Sequence, residues 1–372
     1  MQELFVVNLM NREVILENWL LKQLARLLCL YSFSVSPYAF ADGATFINGN
    51  FVNDVGPWQM DLPAAIKAMW STDTSENIPN VPIPLLALET EMLEQSRGSV
   101  LYRLGHSTVL LKLGDDYVMT DPVFSERASP LQWLGPKRFH QPPIEIQALP
   151  KISAVVVSHD HYDHLDKRSI VELADKTGHF IVPLRVGDHL RRWGIPEAQI
   201  IELDWWQEVQ LGDLQLVATP AQHLSGRGLF DRNETLWASW VIMGAGARIF
   251  FSGDSGYFPG FRDIGERYGP FDVTLVENGA YNPAWPDIHM MPAESVQAHI
   301  DLNGRLMLPI HNSTFDLSLH PWYEPMERVS ALAAESKIEV ATPVIGAKLS
   351  VLNPSPTYAW WREIVQNHVS IR

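Results

Sequence analysis

The feature that most constrains the fold is a short apolar run followed at once by a cluster of histidines and aspartates. The run covers residues 152–157 (ISAVVV), and the cluster covers residues 158–166 (SHDHYDHLD). A continuous run rich in β-branched residues is typical of a strand buried on both faces of a sheet. Polar residues that follow such a strand lie at its carboxyl end, where α/β proteins bind ligands. The sequence therefore predicts a layered α/β fold with a polar site at one sheet edge.

Further short strands alternate with helical patterns along the chain. Strands are predicted at residues 99–104, 108–113, 117–120, 180–183, 214–219, 240–243, 248–252, 273–277 and 305–309, and helices at residues 166–174, 187–193 and 292–302. These strands are numerous enough for two sheets, and helices are interleaved with them. The pattern therefore favours a four-layer αββα sandwich over a single doubly wound sheet.

Composition predicts a globular protein with a large core. Of the 372 residues, 46% are hydrophobic and 19% are charged, which is normal for a packed chain. No linker or internal repeat interrupts residues 98–372, so we predict one domain there. Residues 42–97 contain frequent prolines and are predicted to pack on that domain as an extension.

The first 41 residues carry a mixed signal. Lys22 and Arg26 precede an apolar run at residues 27–35, and residues 39–41 (AFA) have the small-residue spacing of a signal-peptidase site. This pattern predicts a leader for export to the periplasm. The stretch ahead of the basic pair contains three glutamates, which favours the alternative of an amphipathic helix on the domain or on a membrane surface. A cytoplasmic location is the third alternative.

Charge and cysteine content narrow the function. The chain has 28 Lys and Arg against 43 Asp and Glu, a net charge of -15, and no basic stripe, so nucleic acid is not an expected partner. The single cysteine, Cys29, excludes an intramolecular disulfide and a thiolate zinc cluster. Any metal ligands must therefore be histidines and carboxylates.

The cluster at residues 158–166 has the donors that zinc prefers. It contains His159, His161, Asp163 and His164 within six positions. In an extended turn, His159 and His161 point the same way, whereas Asp163 and His164 project past them. One loop could thus serve two metal ions.

Three later residues each follow a predicted strand. They are His223, Asp254 and His311, in the words PAQH (220–223), SGDSG (252–256) and PIH (309–311). Strand ends of this kind can converge on one rim of the sheets. The three residues are therefore predicted to complete the metal site.

Taken together, these motifs resemble the metallo-β-lactamase superfamily. Several flanking words are similar to the branch that contains N-acylphosphatidylethanolamine-hydrolysing phospholipase D and its bacterial relatives: LGHST (104–108), TDPVFS (120–125), DWW (204–206), PAQH (220–223) and HMMP (289–292). The similarity covers roughly residues 98–320. The resemblance implies the αββα metallo-β-lactamase fold.

The resemblance also implies a centre of two Zn²⁺ ions per chain. His159, His161 and His223 would hold one ion, Asp163, His164 and His311 the other, and Asp254 would bridge them. The family commonly has Trp-Gly after the last histidine, whereas Asn312 and Ser313 stand here. This departure leaves the ligand intact and changes the shape of the adjacent pocket.

Two zinc ions about 3.5–4 Å apart lower the pKa of a shared water toward about 7, so that a metal-bridging hydroxide can attack phosphorus or a carbonyl carbon. Asp163 and His289 are the predicted catalytic residues, with His289 as a proton donor or phosphate contact. Arg227 and Tyr162 are predicted to contact substrate. The remaining predictions are orienting roles for Asp121 and Asp160, structural roles for His106 and Ser107, and an apolar cleft lined by some of Trp133, Trp193, Trp285 and Trp322.

The leading functional hypothesis is a phospholipase D-type phosphodiesterase that cleaves N-acylphosphatidylethanolamine-like phospholipids. A lactonase or another metal-dependent hydrolase of a small acidic metabolite is the alternative enzyme. A metal-binding scaffold is the non-enzymatic alternative, and the complete ligand set argues against it. Expected partners are a phospholipid or small phosphodiester substrate, a peripheral membrane contact and a second copy in a homodimer.

Overall fold

The computed structural model describes residues 43–56 and 61–369. Within these two ranges, no helix has the length and apolar character needed to cross a membrane. The leader or amphipathic helix predicted for residues 1–41 lies outside the described residues.

A short hairpin precedes two seven-stranded sheets. The hairpin consists of β1 (Thr45–Ile47) and β2 (Asn50–Val52). The first sheet contains β3 (Val100–Gly105), β4 (Thr108–Leu113), β5 (Asp116–Thr120), β6 (Ile152–Val156), β7 (Thr177–Pro183) and β8 (Ile200–Leu203), with β16 (Lys348–Ser350) beside β3. The second contains β9 (Glu208–Leu211), β10 (Leu214–Thr219), β11 (Ser239–Gly244), β12 (Ala247–Phe251), β13 (Phe271–Glu277), β14 (Gly304–Ile310) and β15 (Glu339–Val340), in that order.

Eight helices lie among the described residues. They are α1 (Leu62–Ser71), α2 (Thr90–Gln95), α3 (Lys167–Leu173), α4 (Gly187–Arg192), α5 (Gly260–Tyr268), α6 (Pro292–Asp301), α7 (Glu324–Glu335) and α8 (Trp360–Val369). Single 3₁₀ turns occur at Ile146–Ala148, Ala174–Lys176 and Glu197–Gln199.

The alternation of side chains along each strand creates three packed interfaces. In β4, Val109 and Leu111 join the core between the sheets, whereas Leu110 joins a second core with Ile170 of α3 and Leu190 of α4. Strands that are apolar on both faces must be covered on both sides, because successive side chains point to opposite faces.

The second sheet follows the same logic. Phe251 of β12 lies in the core between the sheets, while the ring of its neighbour Phe250 contacts Phe261 of α5, with centroids 6.2 Å apart. Helices therefore cover the outer faces of two stacked sheets. The αββα sandwich predicted from the sequence is confirmed.

Most predicted strands lie where the sequence pattern puts them, within a few residues. Strands β1, β2, β8, β9, β15 and β16 escape that pattern, because each is only two to four residues long and the last four lie at sheet edges. None of these strands carries a residue of the predicted site.

One edge of the sandwich collects the polar side chains. The parallel strands β5 and β6 end at Thr120 and Val156, and the parallel strands β12, β13 and β14 end at Phe251, Glu277 and Ile310. Both sheets thus present carboxyl ends at the same edge, where the predicted ligands follow.

Candidate metal centre

The loop after β6 is fixed by a carboxylate from the neighbouring strand. Asp121 follows β5, and its two oxygens accept hydrogen bonds from the Ser158 amide at 2.7 Å and the Ser158 hydroxyl at 2.6 Å. His164 Nδ1 donates to Asp121 at 2.6 Å, which leaves Nε2 as the ligand atom. Asp121 thereby has the orienting position predicted for it.

The first half of the cluster consists of three imidazoles: His159, His161 and His223. Their ligand atoms lie within 4.8 Å of one another. His159 Nε2 lies 2.8 Å from His161 Nδ1, which in turn lies 3.4 Å from His223 Nε2. His223 Nδ1 donates to the carbonyl oxygen of Ile288 at 3.0 Å, so its Nε2 keeps a lone pair.

Burial decides the charge of this first half. It lowers the pKa of all three imidazoles, and those of His159 and His223 fall well below the ordinary value. A buried imidazole loses the hydration that stabilises its cation. The first half is therefore neutral at pH 7, which is the form that binds metal.

The second half contains Asp163, His164 and His311, and His106 joins them. Nε2 of His164 and of His311 each lie 3.3 Å from Asp163 Oδ2. His106 Nε2 lies 3.0 Å from the same oxygen. The sequence predicted a structural role for His106, and its contact with a predicted ligand was not foreseen.

Carboxylates decide the charge of this second half. Burial lowers the pKa of His311, but Asp254 and Asp163 outweigh it and raise that pKa to about 10. The pKa of His164 is likewise raised well above its ordinary value, since three carboxylates outweigh burial. Without a cation, this half holds protons in place of metal.

Asp254 lies between the two halves. Its Oδ2 is 3.1 Å from Nε2 of both His164 and His311. The same oxygen is 3.9 Å from His159 Nε2 and 3.8 Å from His223 Nε2. Burial would raise the pKa of Asp254, but His164 and His311 hold it well below the ordinary value. This carboxylate is positioned to be shared by two cations.

The residues fit a pair of metal ions. All seven predicted ligands are brought together by strand ends from both sheets, and every donor is an imidazole nitrogen or a carboxylate oxygen. Among the described residues, the buried Oδ1 of Asp254 has no hydrogen-bond partner. A buried carboxylate oxygen of this kind requires a cation or a donor.

Comparisons with known proteins agree with this geometry. A family model for the β-lactamase superfamily domain matches residues 116–312, which contain all seven predicted ligands. An uncharacterized protein of Mycobacterium tuberculosis (strain ATCC 25618 / H37Rv) is 47% identical over 292 residues, which cover 77% of this chain and 78% of that protein. The chain belongs to the metallo-β-lactamase superfamily.

Two further similarities concern the branch of the superfamily and the fold. The N-acyl-phosphatidylethanolamine-hydrolyzing phospholipase D 1 of Caenorhabditis elegans is 33% identical over 290 residues, covering 73% of this chain and 82% of that enzyme. A metallo hydrolase from Ignicoccus hospitalis matches the fold with a TM-score of 0.52 at 21% identity, covering 68% of this chain and 97% of that one. The protein is a metal-dependent hydrolase in the branch that resembles the phospholipase D enzymes.

The predicted catalytic residue His289 lies beside the cluster of predicted metal ligands. One of its ring nitrogens lies within 4.8 Å of ligand atoms of Asp254 and His311. Its Nδ1 hydrogen bonds at 2.8 Å with Glu277, a fully buried residue that ends β13. Sequence reasoning did not assign Glu277 a role, although a strand that ends in a polar residue was the available signal.

Arg227 and Tyr162, the predicted substrate contacts, brace the ligand loop. The Arg227 guanidinium donates to the carbonyl oxygens of Asp160 and Leu165, the latter at 2.8 Å. Its central carbon lies 4.0 Å from the Tyr162 ring centroid, and the Tyr162 hydroxyl donates to the Arg227 carbonyl at 2.9 Å. A contact of either residue with substrate stays a prediction.

Asp160 differs from its predicted role. Its carboxylate contacts His189 at 3.1 Å and accepts hydrogen bonds from Gly226 N at 2.7 Å and Thr235 Oγ1 at 2.9 Å. It therefore ties the ligand loop to the segment after β10 and does not orient a predicted metal ligand.

The departure at residues 312–313 has a local explanation. The fully buried guanidinium of Arg103 donates to the Asn312 side-chain oxygen at 2.8 Å and to its carbonyl oxygen at 2.7 Å. Asn312 supplies the acceptors that this buried cation needs. The two residues after His311 are thus part of the wall beneath the ligand.

A cleft of about 600 Å³ opens beside the ligand loop. Tyr162 of the ligand loop lines it, together with Trp193, Val171 and Pro130. Of the four tryptophans that were candidates to line a cleft, Trp193 is the one found here.

Proposed function

We propose that the protein is a binuclear zinc phosphodiesterase of the phospholipase D type, acting on N-acylphosphatidylethanolamine-like phospholipids. The observation that carries the proposal is the shared position of Asp254, whose Oδ2 lies 3.1–3.9 Å from four imidazole nitrogens. The similarity to the enzyme of Caenorhabditis elegans supports the substrate class.

The cluster residues would hold the ions in two groups joined by Asp254. When bound, zinc ions supply Lewis-acid stabilisation of phosphoryl oxygens and a water of lowered pKa. Asp121 holds the ring of His164 in place, and the Ile288 carbonyl does the same for His223. No side chain needs to form a covalent intermediate.

His289, positioned by Glu277, would contact the phosphate. Burial, with Asp254 second, raises the pKa of Glu277 well above its usual range, and in its protonated form this carboxyl would donate to His289 Nδ1 at 2.8 Å. Burial lowers the pKa of His289 to about 4, which keeps the ring neutral. The neutral ring then presents Nε2–H as a hydrogen-bond donor to a phosphate oxygen or to the leaving oxygen.

The cleft supports an amphipathic substrate. Its volume of about 600 Å³ lies within the range of about 300–1,000 Å³ that small-molecule sites occupy. Tyr162 borders it on one side and belongs to the ligand loop on the other. The apolar part of a phospholipid would lie in this cleft while its phosphate meets the cluster.

The test is metal analysis together with a substrate panel on the zinc-loaded full chain. The panel contains an N-acylphosphatidylethanolamine and a small lactone, and each is measured with and without a chelator. We expect about two zinc ions per chain, release of phosphatidate, and an activity loss of about 1,000-fold in Asp254→Asn.

The exposed Asp115→Asn is the matched control, because Asp115 lies in the turn between β4 and β5, away from the cluster. Hydrolysis of the lactone alone would replace the phosphodiesterase with the lactonase hypothesis. Phosphodiesterase activity that survives both chelation and Asp254→Asn would overturn the proposal.

A further inference from the structure

Two loops present large apolar side chains to solvent. The first tip, residues 128–136 (ASPLQWLGP), has Trp133 74% exposed and Leu134 57% exposed. The second tip, residues 228–230 (GLF), has Leu229 91% exposed and Phe230 93% exposed. Exposed apolar groups clustered in this way mark interaction surfaces rather than ordinary protein surface.

Both tips border the cleft that lies beside the ligand loop. Ser129, Pro130 and Gln132 of the first tip line it, and so does Arg227 at the base of the second. The same cleft reaches Tyr162, which lies between the ligands His161 and Asp163. The exposed apolar groups therefore lie beside a cleft whose wall includes a residue of the ligand loop.

The charge pattern of the tips is also distinctive. Neither tip contains a charged residue, and basic residues flank each: Arg127 and Lys137 around the first and Arg232 after the second. Arg227 precedes the second tip, but its guanidinium contacts the ligand loop. Asp231 also lies beside the second tip, and its carboxylate accepts the backbone N–H groups of Arg227 at 3.1 Å and Gly228 at 2.8 Å. Lys137 forms an ion pair with Glu126 at 2.7 Å.

Hydrogen bonds within the loop fix the conformation of the first tip. Arg127 N donates to the Gln132 side-chain oxygen at 3.1 Å, and the Gln132 amide donates back to the carbonyl oxygens of Arg127 and Ser129. The Arg127 guanidinium also donates across the tip to the Gly135 carbonyl. These bonds satisfy backbone groups at the base while the Trp and Leu side chains stay outside.

We propose that the two tips insert into a lipid surface, so that the mouth of the cleft lies against it. Trp, Leu and Phe next to basic residues favour the boundary between headgroups and acyl chains. A lipid surface at both tips would also bring a phospholipid substrate to the cleft. The identity of that substrate rests on the proposed function, but insertion itself does not.

The first experiment measures directly whether the second tip enters a lipid bilayer. A single cysteine is introduced as Phe230→Cys in the Cys29→Ser full chain and labelled with a polarity-sensitive fluorophore. Vesicles of phosphatidylcholine with phosphatidylglycerol should shift its emission to the blue. The control label is Leu352→Cys, which lies just after β16, beside the beginning of β3 and thus at the opposite end of the sheet.

The second experiment separates docking from catalysis. Leu229→Ser/Phe230→Ser should lower hydrolysis of a vesicle-borne phospholipid about tenfold and leave a water-soluble phosphodiester unaffected. The matched control, Met92→Ser/Leu352→Ser, removes two apolar side chains that are 49% and 41% exposed and should change neither rate.

Equal or absent emission shifts at positions 230 and 352 would overturn the lipid-docking proposal. So would light scattering in which Leu229→Ser/Phe230→Ser turns a dimer into a monomer, because the tips would then belong to a contact between two copies. Failure of the proposed function is a different result: the wild-type chain would hydrolyse neither phosphodiester, whatever the label reports.

Discussion

The two halves of the metal cluster use similar donors but differ in charge. His159, His161 and His223 form a neutral half, because burial lowers the pKa of each ring. The other half places His164 and His311 against Asp163, and these two imidazoles hold protons when no cation is present. If each half holds one ion, as proposed, the two positions should therefore differ in affinity and in response to pH.

The largest expected difference concerns metal retention. His311→Ala removes a donor from the charged half, whereas His223→Ala removes one from the neutral half. We expect both variants to lose activity by about 100-fold or more. After dialysis, His223→Ala should keep about one metal ion because the half that contains Asp163 stays complete, while His311→Ala keeps only the neutral imidazole half complete and should retain less.

Metal analysis by mass spectrometry checks this difference, with the wild type dialysed in parallel. Equal metal retention in the two variants would show that the charge of each half does not determine which half binds metal more tightly.

A smaller effect is expected from the residue that orients His164. In Asp121→Asn the acceptor for His164 Nδ1 is weakened, while the neutral half keeps the Ile288 backbone carbonyl as its own acceptor. We expect about 10–100-fold weaker binding of one ion, the usual cost of changing such a partner. Competition with a chromophoric chelator measures it, and weakened binding of both ions would contradict the separation of the halves.

The pH dependence should also distinguish the halves. His311 has a pKa of about 10 without metal, so a metal ion must displace its proton at pH 7. Affinity at the charged half should therefore fall about tenfold for each pH unit below 10 per proton displaced, and the neutral half should lack this slope between pH 7 and 10. Calorimetry in buffers of different ionisation enthalpy counts the protons, and equal release from both ions would refute the assignment.

The smallest effect is expected outside both halves. Tyr162→Phe removes the hydrogen bond to the Arg227 carbonyl, which braces the ligand loop as a whole. We expect a loss of about 0.5–1.5 kcal/mol in the free energy of unfolding and little change in the ratio of the two metal affinities. Urea unfolding measures it, with the exposed Tyr358→Phe as the control.

The sequence predicts the ligand set because chain order and space coincide there. His223, Asp254 and His311 each follow a strand of the second sheet, and parallel strands bring their carboxyl ends to one edge. The strand pattern alone was sufficient for that inference, and it also predicted the αββα fold.

Contacts that depend on loop shape were not predictable in this way. His106 reaches Asp163 because a tight turn between β3 and β4 holds it with a positive φ of 51°. Asp160 turns toward His189, and Arg227 is engaged by carbonyl oxygens of the ligand loop. Each outcome depends on which of several nearby polar groups is within reach, and spacing in the sequence does not encode that.

Gly253 lies where the two sheets approach each other tightly at the cluster. It precedes Asp254 with a φ of +58°, and an added Cβ would overlap the Cβ of Ser158 on the opposite sheet. Asp254 and the histidines of the loop after β6 thus belong to different sheets, and the space between these two loops cannot hold an additional side-chain atom at residue 253. Metal ions bound between them would hold the two sheets together. Heating or stretching that separates the sheets should therefore release metal before the individual sheets unfold.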